Sequence, residues 1–144
     1  MKTGFTCGSF DLTHYGHYMM FKECKDKCDY LIVGLQTDPT IDRPHKNKPI
    51  QDIKERYGQL ESCKYIDKII IYETEKELVN LLEEIKPDMR FLGSDWKDKH
   101  FTGDELPIKI IFNSNRDNHG YSSSNLRKRV YEDEKKRLDG EQNS

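Results

Sequence analysis

Two histidines, His14 and His17, stand three residues apart in the stretch "GSFDLTHYGHYMMF" (residues 8–21). An apolar segment leads in and a helical pattern leads out, so both rings sit at the mouth of a strand-to-helix turn. Gly8 is expected to let the backbone turn tightly, and Gly16 to leave room for something to approach the chain. His17 falls in the first turn of the helix, where unpaired N–H groups and the dipole favour an anion. Imidazole donors placed there would stabilise negative charge on a phosphate oxygen. A second cluster, "YSSSNLRK" (residues 121–128), opens a later helix with three serines. Hydroxyls and free backbone N–H groups together make an anion nest. Two bland alternatives stand beside these readings: a capping or core histidine, and an ordinary serine N-cap. Zinc is the rival chemistry for the histidines, but Asp11 is the one nearby third ligand and HExxH is absent.

The elements that must position these residues alternate regularly. Lys2–Cys7 reads as a first strand and Tyr18–Lys27 as the following helix. "YLIVGL" (Tyr30–Leu35) is a continuous apolar run, as in a strand buried on both faces. "DIKERYGQLESC" is helical, with Ile53, Tyr57 and Leu60 on one stripe. "KIIIY" (Lys68–Tyr72) is a strand. "EKELVNLLEEI" (Glu75–Ile85) places Leu78, Leu81, Leu82 and Ile85 on one helix face, and Pro87 stops it. "MRFLG" and "IKIIF" are two more strands, and a last helix starts near Ser123 or Ser124. This order predicts a single α/β domain, Rossmann-like, with a central parallel sheet and helices on both faces. Ligands of such sheets bind outside the carboxyl ends of strands, where the strand order reverses. The histidine stretch lies at such an end. The loop Thr37–Pro49 carries three prolines and several cations and is a lid candidate.

Composition narrows the class. The chain has 144 residues, 35% of them charged and 34% hydrophobic, with a net charge of −2. One domain over 1–136 and a polar tail over 137–144 account for that length. Mixed charge with no basic face argues against nucleic acid. No stretch approaches the roughly 20 apolar residues of a membrane helix, and "MKTGFTCGSF" lacks a signal-peptide core. Four cysteines without an export signal suggest free thiols in a reducing, cytoplasmic setting.

"GSFDLTHYGH" resembles the GxFDxxHxGH signature of the cytidylyltransferase family, most of all the small glycerol-3-phosphate cytidylyltransferases. "ERYGQLESCKYID", "FLGSDWKDK" and "NRDNHGYSSSNLRKRV" resemble further segments of that family, in order, over roughly residues 1–131. The resemblance implies that a phosphomonoester attacks the α-phosphorus of CTP and pyrophosphate leaves. Such a monoester is already anionic at neutral pH, so the reaction needs charge neutralisation and in-line positioning rather than a general base. By resemblance His14, His17 and Arg116 are catalytic. Gly8, Ser9, Phe10, Gly93, Asp95, Tyr121, Ser122, Ser123 and Ser124 join them in holding the nucleotide. Asp11, Asp38, Lys46 (with Lys48 as its pair), Arg56, Lys64 and Trp96 are the acceptor candidates. The expected cofactor is Mg²⁺ carried by the nucleotide rather than by a protein metal site. A homodimer is expected too.

Three departures from the family pattern stand out, and the last two bear on substrate choice. Ser9 replaces the family's threonine and keeps a hydroxyl. Ser94 replaces an aspartate, and Lys64 replaces an arginine whose planar fork a lysine cannot reproduce. The expected reaction is therefore CMP transfer, with glycerol 3-phosphate as first acceptor. Another polyol or amino-alcohol phosphate, an ATP-using adenylyltransferase and a non-catalytic nucleotide-binding regulator remain as alternatives.

Overall fold

The computed structural model describes residues 1–113 and 120–142. Strands β1 (Thr3–Gly8), β2 (Tyr30–Gln36), β3 (Lys68–Tyr72), β4 (Met89–Gly93) and β5 (Lys109–Asn113) form one parallel sheet in the order β3-β2-β1-β4-β5. Helices α1 (Tyr15–Asp26), α2 (Ile53–Glu61) and α3 (Glu75–Ile85) connect them, and α4 (Ser123–Gln142) follows β5. The chain winds outward from β1 to β3, then crosses back to place β4 on the other side of β1. The order thus reverses between β1 and β4, which is where a parallel sheet opens a ligand crevice. The fold is the single Rossmann-like α/β domain that the sequence predicts.

Alternation within the strands fills both faces. Leu31, Val33 and Leu35 of β2 pack with Phe21 and Cys24 of α1 and Leu60 of α2. Ile32 points the other way, joining Phe5, Tyr72, Leu78 and Leu82 beneath α3. The stripe read along α3 is therefore real, with Leu78 and Leu82 fully enclosed. Thr74 caps that helix by accepting from Glu77 N–H, and Lys86 ends it in a left-handed conformation (φ 50°) just before Pro87.

Two expectations need correction. Helix α1 starts at Tyr15, three residues before the expected Tyr18, because His14 itself supplies the cap. The residues read as a polar tail from 137 onward continue α4 to Gln142. Arg137 pairs with Glu134 one turn back and with Glu141 one turn on, so solvated charge supports the helix instead of fraying it. Among the described residues no helix is long and apolar enough to cross a membrane.

Candidate active site

The turn between β1 and α1 is where the backbone is strained. Phe10 and Leu12 both adopt positive φ, 47° and 51°, a region that side chains other than glycine rarely enter. Gly8, expected to make the turn, does not; a Cβ there would meet the Phe10 ring at 3.3 Å, so its smallness admits that ring. Phe10 is buried and stands edge-on to His17, with centroids 5.9 Å apart. Asp11 fastens the strained turn. Its carboxylate accepts from Ile50 N–H and Gln51 N–H, each at 2.9 Å, and from Arg127 at 2.9 Å. Burial works against its ionisation, but these three donors outweigh burial and hold the carboxyl below the usual aspartate range.

The two histidines form a capping box of their own. His14 Nδ1 accepts from Gly16 N–H at 3.0 Å, and His17 Nδ1 accepts from His14 N–H at 3.2 Å. A backbone N–H can only donate, so each Nδ1 is the unprotonated nitrogen. The proton of each neutral ring therefore lies on Nε2, which makes Nε2 a hydrogen-bond donor. The ring centroids are 4.1 Å apart. The bland capping reading and the functional one are thus compatible: the caps fix the tautomer that a phosphate oxygen needs.

The serine turn meets this pair. His14 Nε2 lies 3.2 Å from Ser123 Oγ, across 109 residues of sequence. Ser122 does the ordinary capping of α4, its Oγ accepting from Asn125 N–H at 3.2 Å. Ser123 and Ser124 are left to face the crevice. Gly16 lets the two segments close up: a Cβ there would sit 2.9 Å from Tyr121 Cβ and 2.9 Å from His14 Cε1. The close approach that Gly16 permits is therefore made by the chain itself.

Two cavities flank this junction and share His17, Ser123 and Ser124. The smaller, about 320 Å³, lies between α1, Gly93, Asn113 and Tyr121. The larger, about 380 Å³, holds Gly8, Ser9, Phe10, Asp11 and Trp96. It is walled on one side by Pro39, Arg43, Lys46 and Asn47 of the 37–49 loop. That loop is pinned to the start of α3: Arg43 pairs with Glu75 at 3.0 Å, and Asp42 accepts from Glu75 N–H at 2.6 Å.

Other expected site residues are placed differently. Arg56 is 2% exposed, and in place of an acceptor contact it donates to four backbone carbonyls. These are Gln51 O at 3.0 Å, Ser9 O at 2.9 Å, Gln36 O at 2.6 Å and Thr37 O at 2.6 Å. Lys64 lies between α2 and β3, at the amino end of the sheet, with its ammonium over the Tyr65 ring. The cavities open at the carboxyl end, so Lys64 is not at the site. Asp38 folds onto Thr40, whose hydroxyl and N–H hold its carboxyl below the usual range. Asp95 is exposed and lies over Gly93. Arg116 falls outside the described residues, and Lys48 is exposed beyond the cavity wall. Sequence reasoning missed Arg43, Arg90 and Arg127, all of which line the larger cavity. Arg127 was legible, since it sits one helical turn after Ser123.

Strand order, switch point and capped histidine pair define a nucleotidyltransferase-type α/β fold. A family model described as "Cytidylyltransferase-like" matches residues 5–129, and the chain belongs to that family. It is similar to the "Bifunctional protein HldE" of Helicobacter acinonychis, 35% identical over 136 residues, covering 92% of this chain and 29% of that protein. The protein of the same name from Nitrobacter hamburgensis is 34% identical over 107 residues, covering 74% of this chain and 22% of that one. The chain thus spans under a third of the length of these relatives. Among solved structures, a lipopolysaccharide core biosynthesis protein from Thermoplasma volcanium superposes with TM-score 0.64 at 30% identity, covering 78% of this chain and 95% of that one. Pantothenate synthetase from Thermus thermophilus shares the fold alone, at TM-score 0.57 and 10% identity, covering 78% of this chain and 55% of that one. Family membership supports nucleotidyl transfer as the reaction class.

Proposed function

We propose that the chain transfers a nucleotidyl group from a nucleoside triphosphate to a small phosphomonoester, releasing pyrophosphate. CTP and glycerol 3-phosphate are the substrates that the motif resemblance favours. The observation that carries the reading is the 3.2 Å approach of His14 Nε2 to Ser123 Oγ, at a junction with a cavity on either side. In this reading the smaller cavity takes the nucleoside and the larger takes the acceptor, so Gly8, Ser9 and Phe10, expected to hold the nucleotide, border the acceptor instead. An acceptor phosphate oxygen attacks the α-phosphorus in line, and the bond to the β-phosphate oxygen breaks. The Nε2–H donors of the histidines and the opening turn of α4 neutralise the charge that develops on the phosphoryl oxygens and on the leaving pyrophosphate. Arg116 is proposed to act on the same charge. No proton need be abstracted, because the monoester is already anionic.

Mg²⁺ is proposed to arrive with the triphosphate, where it would neutralise phosphate charge. Asp11, the carboxylate beside the histidine turn, is already engaged by two backbone N–H groups and Arg127. Among the described residues no group of three or more His, Cys, Asp or Glu is placed to hold a metal. A homodimer is proposed as the working assembly, and light scattering tests it.

A sugar phosphate is the second reading for the acceptor. It is favoured by the likeness to a lipopolysaccharide core biosynthesis protein, since a polysaccharide is assembled from activated sugars. The test is pyrophosphate release from each of the four nucleoside triphosphates against polyol, amino-alcohol and sugar phosphates. Release with CTP and a polyol phosphate supports the first reading. ATP with a sugar phosphate would move it to adenylyl transfer. Nucleotide binding without turnover on any acceptor would leave a regulator instead of an enzyme.

A further inference from the structure

The larger cavity reaches past the histidines, over the top of the sheet, onto the face covered by α3. There it meets Cys7, Gln36, Tyr72, Arg90, Phe101 and Thr102. Arg90 comes from the middle of β4, between Met89 and Phe91, which point into the opposite core. It is 3% exposed. One guanidinium nitrogen, Nη1, donates to Thr102 O at 2.5 Å, and Nη2 lies 3.9 Å from Cys7 Sγ. The guanidinium carbon stands 5.3 Å from the centre of the Phe101 ring, a cation–π contact that offsets part of the charge without supplying a counter-ion. Nε is closed off from solvent with no partner among the described residues.

No carboxylate pairs with this cation among the described residues. Glu75, which lines the same cavity, is paired with Arg43 at 3.0 Å and accepts from Gln36 at 3.4 Å. Cys7 offers no countercharge, because burial pushes its thiol up despite the pull of Arg90. Burial does the same to the Tyr72 hydroxyl. A buried guanidinium with no counter-ion is costly, and such a charge is normally matched by an anion with fork geometry. Arg56 shows the contrast: it is equally buried and bonded to four carbonyls.

We propose that Arg90 selects the acceptor by receiving a carboxylate at the end remote from the attacking phosphate. The preferred substrates are then phosphomonoesters that carry a second, acidic group. The inference rests on reading the larger cavity as the acceptor's, and it narrows that reading. Paired N–H donors from one guanidinium suit a carboxylate better than a hydroxyl, and a charge-assisted bond is about twice as strong as a neutral one.

A matched pair of ligands tests it. Glycerol 3-phosphate and 3-phosphoglycerate differ in one place, where a hydroxymethyl group is replaced by a carboxylate. Calorimetry on the full chain is expected to find 3-phosphoglycerate bound more tightly by roughly 10- to 100-fold, with the same preference in kcat/KM for pyrophosphate release. Arg90→Met should abolish the preference. Should that variant fail to fold, Cys7→Asp supplies an internal carboxylate beside the guanidinium and should erase the preference equally. Equal binding of the pair by the wild type, or a preference that survives either variant in folded protein, overturns the proposal. Because binding is read without turnover, pyrophosphate release from glycerol 3-phosphate alongside equal binding would remove this inference and leave the proposed reaction standing.

Discussion

Two arginines are buried at the carboxyl end of the sheet, and the chain treats them in opposite ways. On α2, Arg56 draws together carbonyls from the end of β2, from the residues just after β1 and β2, and from Gln51 before the helix. Beneath the 97–106 loop, Arg90 is just as enclosed, but its guanidinium has one carbonyl, a distant sulfur, the face of the Phe101 ring and an unmatched Nε. Burial is the same and satisfaction is not. The first pattern belongs to scaffold, where every donor is answered inside the chain. The second belongs to a surface whose answering group comes from outside. Residue type and exposure therefore do not separate structural from ligand-facing arginine; the tally of hydrogen-bond partners does.

Arg56→Met breaks the first side of this contrast and carries the largest expected effect. Four carbonyls would lose their donor in a buried site, so stability should fall by about 3 kcal/mol or more. Arg90→Met should cost far less, since it removes a cation that the fold leaves uncompensated. Urea denaturation of both variants makes the comparison. Equal losses would erase the distinction between the two arginines.

Asp11→Asn sharpens the scaffold side with a smaller effect, about 1.5 kcal/mol at neutral pH. The sign of its pH dependence follows from the folded carboxyl lying below its unfolded value near 3.8. The stabilisation is present above pH 4 and is lost as pH falls through the folded value. Thermal melts of wild type and Asp11→Asn should thus converge below pH 4 and separate above it. A gap that persists undiminished in acid would remove the ionised carboxylate from the account.

Ser122→Ala and Ser123→Ala separate capping from chemistry at the serine turn. Loss of the Ser122 cap should cost about 1 kcal/mol of stability with modest change in turnover. Ser123→Ala should do the reverse. Parallel melting and pyrophosphate-release measurements decide it, and identical profiles for the two variants would contradict the division.

Most of the scaffold was legible because it rests on local pattern. The Leu78–Leu82 stripe, the run in β2 and Pro87 after α3 each follow from periodicity or from one residue's backbone constraint. The place of the histidine pair was legible for a related reason: a strand pattern before it and a helix pattern after it put both rings in the turn between. Lys64 was misplaced by motif matching, although strand direction assigns it to the amino end of the sheet. Arg56 and Arg90 could not be told apart, since the carbonyls at the ends of β1 and β2 converge on one side chain only once the sheet is assembled. The tight turn was assigned to Gly8, but the positive φ angles belong to Phe10 and Leu12, held there by the bonds that Asp11 and Leu12 make with Ile50 and Gln51 from outside the segment.

The central claim is that the first turn of α1 and the first turn of α4 grip one triphosphate. His17 and Ser124 test it most directly, because they come from different helices and both border the two cavities. A double-mutant cycle of His17→Ala and Ser124→Ala, read as kcat/KM for pyrophosphate release, isolates coupling that a shared ligand transmits. His17→Ala alone should lower turnover about 100-fold. The account predicts that the double variant loses clearly less than the product of the single losses, while melting temperatures remain additive. Strictly multiplicative losses in turnover, or wild-type turnover without the His17 ring, would contradict it.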